Sequence, residues 1–599
     1  MLAAALRVAV LSQAAAGPPA VLHRWTESDM NFFDAWARVV AAGDLLTDRS
    51  LHPSHGWHRE AAQQYLAAHP DEASAWAERA AAASASAAGT GAAGQGAGTP
   101  SPRDATALLL DEWWGGKRFH QEPLYPYTLA AGYLVTGGSI LAVFVLQSLL
   151  GLLSVALVHR VTRQAFGDRP ALWAGLLAVS CGPLLFYEVV LLRASLMACA
   201  TLVLVTLAQR ACVAPTAGRF ALLGLAGGLA TLLKTTFAPF VVLAGAWLLL
   251  RRRPAGLRGG ATASGSARVA CGLALASGFA LALSPAVVRN VVVGAPPLSL
   301  QSVGPMSFVA FNSAHAGTDP TGFFVSTADI AEVFGVTGGE SGATLRETLA
   351  RAGGWTSLLP RMAARAWHLT HAYEAPQNVN IVFFRQLVPA LGWAWVGFGV
   401  AAPLAAFGVV LAHRRRRGAL PALMAASTVL PLILFSTLAR YRLPLLVMLL
   451  PFAGLTLAAC VCWARERSWR PLAAALVVVG GVALVVNRPL PAFAPTIRLD
   501  DHVSVFQADF RPRLAAASEA GDWTTALAVA EELLALEPVE LQALDAGHPP
   551  GSSSLAALAR HFAQLHRLTA NIALEAGQDL RAGRALVAEG RLRASLEAP

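Results

Sequence analysis

Charge is scarce in this chain of 599 residues. Asp, Glu, Lys and Arg make up 14% of it, while hydrophobic residues make up 55%. Soluble domains carry about a quarter charged residues, so an ordinary soluble domain is excluded. With a mean hydropathy of +0.51, the composition is that of a polytopic membrane protein. Cysteine is also sparse. Cys181, Cys199, Cys212, Cys271, Cys460 and Cys462 all lie in or beside apolar runs. Their spacing fits neither a zinc site nor a secreted disulfide framework, which leaves them as small apolar packing residues. No Walker loop, Rossmann fingerprint or Ser-His-Asp order stands out. The net charge of +10 comes from arginines clustered in short loops between apolar runs. That pattern belongs to the positive-inside rule rather than to nucleic-acid binding.

Spanning a bilayer takes about 20 mostly apolar residues. Such runs occur near 125–158, 171–187, 189–208, 220–233, 236–250, 269–288, 388–412, 419–437, 443–463 and 471–487, with a weaker first segment at 6–22. Together they predict an all-α bundle of about eleven transmembrane helices. With the N-terminus inside, the cytoplasmic loops are 160–169, 210–219, 251–268, 413–417 and 465–470, and all are basic. Four features then face outward: the loop 25–122, the turn around Glu188, the loop 289–387, and the tail after about 488. High Ala, Gly and Arg with few Lys suits a bacterial gene, and hence a bacterial inner membrane with these features in the periplasm.

The expected domains are therefore a membrane domain over 1–490 and a periplasmic tail over 491–599. Within the first outer loop, 28–46 reads as an amphipathic helix, and 80–102 is a low-complexity insertion. In the tail, 514–538 has the spacing of one tetratricopeptide-type hairpin, broken at Gly521-Asp522, and 553–597 offers more helix. A tail of this kind suits a protein partner or docking on the membrane domain.

The informative residues are ionisable groups at the outer ends of helices: Asp29, Asp34, Glu188, Lys234, Arg440 and Arg442, the last two flanking Tyr441. Ionisable groups at membrane depth are costly and tend to mark a site. Two or three cations suit a phosphate, and a nearby carboxylate suits proton abstraction from a hydroxyl. A lipid-linked phosphate would enter sideways from the bilayer. These parts describe group transfer from a polyprenyl phosphate at the outer leaflet, with the cations stabilising the departing phosphate.

Three stretches resemble the lipid-linked-sugar glycosyltransferases of the GT-C fold, in particular glycosyltransferase family 39, the protein O-mannosyltransferase and aminoarabinose transferase group. They are "SDMNFFDAWARVVAAGDLL" (28–46), "FHQEPLYPYTLAAGYLVTGGSILAVFVLQSLLGLLSVALVHRVTRQAFG" (119–167) and "ARYRLPLLVMLLPFAG" (439–454). The resemblance implies that Asp29 is the general base, with Asp34 its rival on spacing. It implies that Glu188 is the acidic residue of the second outer turn, and that Arg440 and Arg442 lie near the lipid phosphate. It also implies an inverting displacement from a polyprenyl phosphate sugar, with undecaprenyl phosphate the expected carrier, to a protein, lipid or glycan acceptor. Two departures are visible: Met30 follows Asp29 where the family often has Glu, and Glu122 stands where the aminoarabinose branch often has Lys.

His120, Gln121 and Glu122 are expected at the rim of the pocket, with His120 or Glu122 touching sugar or acceptor. Tyr125 and Tyr127 suit the interface belt. Asn312, within 307–324, is a further candidate contact to sugar or acceptor. His52, His55 and His58 recur every three residues, but Pro53 and Gly56 interrupt any helix face, so a solvated loop is expected there. No cofactor is expected, because activation resides in the lipid phosphate, and no divalent metal is indicated. The alternatives are a transporter or lipid flippase, or a non-catalytic envelope assembly protein using its tail. No matching halves of the kind transporters carry are visible.

Overall fold

The computed structural model describes residues 1–48, 51–53, 55–89, 104–250, 265–316, 326–489 and 497–598. Most of the low-complexity insertion, the arginine-rich stretch 251–264 and the segment 317–324 with Asp319 lie outside the described residues. Among the described residues every regular element is helical. Five helices are long and apolar enough to cross a membrane: Ile140–Phe166, Ala194–Val213, Gly265–Val293, Ala439–Arg465 and Trp469–Val486. Shorter apolar helices accompany them, at Leu2–Ala16, Ala217–Leu233, Thr235–Leu250, Phe398–Arg414 and Ala419–Leu434. The chain is a multi-pass membrane protein.

Two expected spans are each divided. The run 125–158 breaks into Leu124–Thr136 and Ile140–Phe166. Gly137 ends the first helix in the left-handed region at φ 68°, a conformation glycine adopts at little cost. Ser139 then caps the second, its hydroxyl accepting from the Ala142 N–H. The run 171–187 likewise becomes Asp168–Val179 and the short Gly182–Phe186. The weak first segment is a genuine helix, Leu2–Ala16.

Ala439–Arg465 is the central post, 67% buried over its apolar window against 11% for the peripheral Trp469–Val486. It packs on Phe398–Arg414, Asp168–Val179, Ala194–Val213 and Ala419–Leu434. Small residues let other helices approach closely. Gly224 and Gly278 each lie against the other helix's backbone, so that a Cβ at either would clash. Such crossings are typical where lipid gives no hydrophobic drive for helix association.

The two outer loops build a second core. Gly56–Ala68 from the first packs on Ala105–Trp113 and on Thr327–Thr337 from the second, around Tyr65, Trp113, Trp114, Ile330 and Phe334. The amphipathic helix expected in 28–46 is Asp29–Ala41. Its Phe33, Trp36 and Val40 are buried rather than lying flat on a bilayer, and it packs on Leu124–Thr136.

The tail is helical, with a hairpin of Arg511–Glu519 and Trp523–Leu534 followed by Ser553–Glu575 and Asp579–Glu597. Gly521 (φ 68°) makes the turn, and the Asp522 carboxylate caps the next helix by accepting from the Thr525 N–H at 3.0 Å. The tail docks through Leu499–Val505. His502, fully buried, stands edge-on to Phe383 of the membrane domain at 4.8 Å and to Phe562 of the tail at 4.9 Å. Neither ring nitrogen finds a hydrogen bond among the described residues.

Burial, with a smaller push from His561, holds His502 down to about 3, from 6.5. The neutral ring is therefore the folded form. Its contribution is complete above about pH 6.5 and declines as pH falls toward 3. Docking should lose on the order of 1–2 kcal/mol between neutrality and about pH 5. Hydrogen exchange at 499–505 should report this loss in the wild type but not in His502→Phe. Equal pH dependence in both proteins would contradict it.

Candidate active site

Asp29 sits at the first position of its helix, which begins where Ser28 caps it. The Ser28 hydroxyl accepts from the Asn31 N–H at 3.1 Å and donates to the Trp25 carbonyl at 2.7 Å. Three side chains converge on the Asp29 carboxylate. The Arg440 guanidinium donates to it at 2.6 Å, the Asn378 amide at 2.9 Å and the Gln121 amide at 3.3 Å. Burial alone would raise the proton affinity of Asp29. Arg440, then His55, and the hydrogen bonds outweigh burial and hold the carboxyl well below its usual range. Arg440 also donates to the Tyr441 hydroxyl at 2.9 Å and lies over that ring.

A second charge cluster faces this one. Glu122 has no exposed surface. It accepts from Arg193 at 2.6 Å, and from the Thr235 backbone N–H and hydroxyl, each at 2.9 Å. Lys234 lies 3.5 Å from its other oxygen. Burial opposes ionisation of Glu122, but Lys234 and Arg193 dominate and lower it to about 2. The helix ends explain the geometry. Arg193 precedes Ala194–Val213, and Lys234 follows Ala217–Leu233, so each places its charge at the rim of the bundle. The Lys234 ammonium also stands over the Tyr441 ring at 5.5 Å.

Asp29, Arg193, Lys234, Arg440 and Tyr441 line one cavity of about 550 Å³. One wall is apolar, with Met197, Phe237, Met306, Leu432 and Phe435. His120 and His58 line it as well, 2% and 1% exposed, and His120 Nδ1 and His58 Nε2 have no hydrogen-bond partner among the described residues. Burial, with help from neighbouring histidines, lowers both rings well below 6.5, so both are neutral.

The structure thus brings Asp29, His120, Lys234, Arg440 and Tyr441 together, and places the other candidates elsewhere. Glu122 is a correction: it is buried behind Arg193 and Lys234 and is not among the residues that line the cavity. Glu188 pairs with Arg7 at 2.7 Å and nestles against Gly151, where a Cβ would overlap its carboxylate. That is mid-way along Ile140–Phe166 rather than at the outer mouth. It pins the first helix, a role the sequence hid because Arg7 sits in a weak segment. Asp34 accepts from the Tyr133 hydroxyl at 2.6 Å and Arg38 at 2.8 Å, which ties two helices together.

Tyr125 is wholly buried, its hydroxyl donating to Gln147, and so is not in an interface belt. Asn312 donates to the Leu434 carbonyl and accepts from Arg365, both at 3.0 Å. Arg442 donates to the His371 and Tyr373 carbonyls and pairs with Glu374 at 2.9 Å, thereby holding the segment 371–374. His55 and His58 are buried in the cavity wall, and His52 pairs with Asp111. The solvated loop expected there is overturned by packing against Trp114. Among the described residues no cluster of three His, Cys, Asp or Glu could hold a metal ion, and all six cysteines are free. Arg193 escaped notice although it ends the outer turn "FYEVVLLR", where the rule applied to Lys234 would have found it.

Residues 120–264 match the family model described as dolichyl-phosphate-mannose-protein mannosyltransferase. The matched stretch carries His120, Glu122, Arg193 and Lys234, and the match agrees with the resemblance to family 39. No curated protein matches the chain. Among solved structures, ArnT from Cupriavidus metallidurans bound to undecaprenyl phosphate is 15% identical, over 81% of this chain and 70% of that one, with a TM-score of 0.32. The archaeal oligosaccharyltransferase AglB from Archaeoglobus fulgidus, in complex with an inhibitory peptide and a dolichol-phosphate, is 14% identical over 69% of this chain and 52% of that one, with a TM-score of 0.30.

Glu122 tests the charge cluster. Its carboxyl is lowered, so its contribution is complete above about pH 4.5 and is lost as pH falls toward 2. Removing one partner of a buried ion pair costs about 3–5 kcal/mol. Glu122→Ala should therefore melt markedly earlier than wild type in detergent at neutral pH. A melting temperature equal to wild type would show that the two cations need no counter-charge.

Proposed function

We propose that the protein transfers a sugar from a polyprenyl phosphate to a hydroxyl-bearing acceptor, in a GT-C-type bundle whose site opens on the outer face of a bacterial inner membrane. The observation that carries this reading is the juxtaposition, in one cavity, of Arg193, Lys234 and Arg440 with the Asp29 carboxylate and an apolar wall. Arg193, Lys234 and Arg440 suit a phosphate, the wall of Met197, Phe237 and Leu432 suits the first isoprene units, and Asp29 suits the acceptor. One helix supports this sidedness. Ala194–Val213 begins beside Arg193 in the cavity and ends about 30 Å away, with Arg210 in its last turn. Arg160, Arg163, Arg210 and Arg219 gather at that far end, the cytoplasmic one by the positive-inside rule.

In the transfer, the acceptor oxygen attacks the anomeric carbon while the bond from that carbon to the phosphate oxygen breaks. The phosphate leaves with the electron pair, and the three cations stabilise its growing charge. The hydroxyl proton passes to the Asp29 carboxylate. In the resting pocket Arg440 suppresses the basicity of that carboxylate. A donor phosphate competes for Arg440 and so restores the proton affinity of Asp29 once the donor is in place. The protein cations supply the positive charge at the phosphate, and turnover in EDTA is expected to equal turnover without it.

Two substitutions test the reading, with full-length protein in nanodiscs and radiolabelled undecaprenyl-phosphate-linked mannose, glucose and arabinose in turn. Asp29→Asn should lower release of undecaprenyl phosphate at least about 100-fold, as loss of a general base does. Arg440→Ala should weaken undecaprenyl phosphate binding by about tenfold or more, a charged hydrogen bond's worth. Full activity in both variants would remove the proposal and favour a transport or assembly role.

A further inference from the structure

The polar side of the cavity is completed by the tail. Arg498, Asp500, Val503 and Gln507 line it alongside the membrane-domain residues. Their segment is firmly attached. The Arg498 N–H donates to Asp501 at 2.8 Å, and the buried Asp501 carboxylate accepts from the Asn380 amide at 2.9 Å. Asn378, in the same loop as Asn380, holds Asp29 at 2.9 Å from a left-handed backbone at φ 66°. A non-glycine residue keeps that conformation where its surroundings enforce it, and here the tail and the carboxylate grip the loop from two sides. Beyond Val505 the chain widens into a π-helical turn, Phe506–Phe510, a feature frequent at functional sites. Gln507 is in that turn.

We propose that residues 498–507 form the acceptor-side wall of the transfer site, and that the acceptor they select is a hydroxyl-rich, uncharged glycan. This rests on the glycosyl-transfer reading above. The wall carries one cation, one anion and the amide of Gln507, so neither sign of charge dominates. Carboxylate, amide and guanidinium groups pair well with vicinal hydroxyls. The neutral rings of His58 and His120 line the same space and add no charge to it. Trp25 and Trp57 line the cavity too, offering flat faces to the C–H faces of a sugar. The apolar wall lies beside the cations and is taken by the donor lipid.

The test uses full-length protein in nanodiscs with a labelled undecaprenyl-phosphate sugar. The acceptor probes are maltotriose and a serine- and threonine-containing hexapeptide. Asp500 and Gln507 are exposed, so Asp500→Ala and Gln507→Ala should fold, and unchanged melting temperatures check this. Wild type should transfer to maltotriose in preference to the hexapeptide. Each variant should raise the KM for maltotriose about tenfold, the worth of one lost polar contact, with the KM for donor lipid unmoved. An unchanged KM for maltotriose in both variants, preference for the hexapeptide, or transfer to neither probe would overturn the proposal. If wild type released undecaprenyl phosphate no faster than Asp29→Asn, the transfer reading itself would fall instead.

Discussion

Everything about the site depends on the burial of Glu122 between two cations. A guanidinium and an ammonium cannot be held at the rim of a membrane bundle without a counter-charge, because desolvation would displace or neutralise them. Glu122 supplies that charge from the segment that enters the helix Leu124–Thr136, and Thr235 completes its hydrogen bonds. Two helix ends and one loop are thereby locked in register. With Glu122 satisfied behind them, Arg193 and Lys234 retain donors that face the cavity.

The opposing half is built by the same logic, again around an acid. Asp29 is the buried acid, and Arg440, Asn378 and Gln121 are its partners. Gln121 and Glu122 are adjacent in sequence yet serve opposite walls, so the dozen residues from Phe119 to Ala130 tie the two halves together. The long outer loops, fused by their own core of aromatic residues, roof the space between. The tail is pinned at Asp501 and His502 and closes the remaining side. The membrane bundle therefore supplies the cations, the loops supply the carboxylate, and the tail supplies a polar wall.

The fold class was legible in the sequence because hydropathy and arginine placement are strong, local signals. Helix breaks were less so: the turn at Gly137 lies inside an apolar run that reads as continuous. For the site, charge in a tight turn pointed to Lys234 and Arg440, which both line the cavity. The same signal misled at Arg442, whose guanidinium is spent on two backbone carbonyls and Glu374, and at Glu188, whose partner Arg7 lies more than 180 residues away in sequence. A sequence shows that a charge is unusual, but not whether another charge already satisfies it. Arg193 is the converse case: it lies in a turn already singled out and was passed over for the acid beside it. The histidines at 55 and 58 needed the second outer loop and Trp114 around them before their burial could be seen.

The central claim is that the space between Asp29 and the three cations holds the phosphate of a polyprenyl lipid. Cryo-electron microscopy of the full-length protein with undecaprenyl phosphate in nanodiscs tests it most directly. The account predicts phosphate density within hydrogen-bond distance of Arg193, Lys234 and Arg440, with the prenyl chain along Met197 and Leu432. Phosphate density at the opposite, arginine-rich end beside Arg160 and Arg210, with this cavity unoccupied, would contradict it.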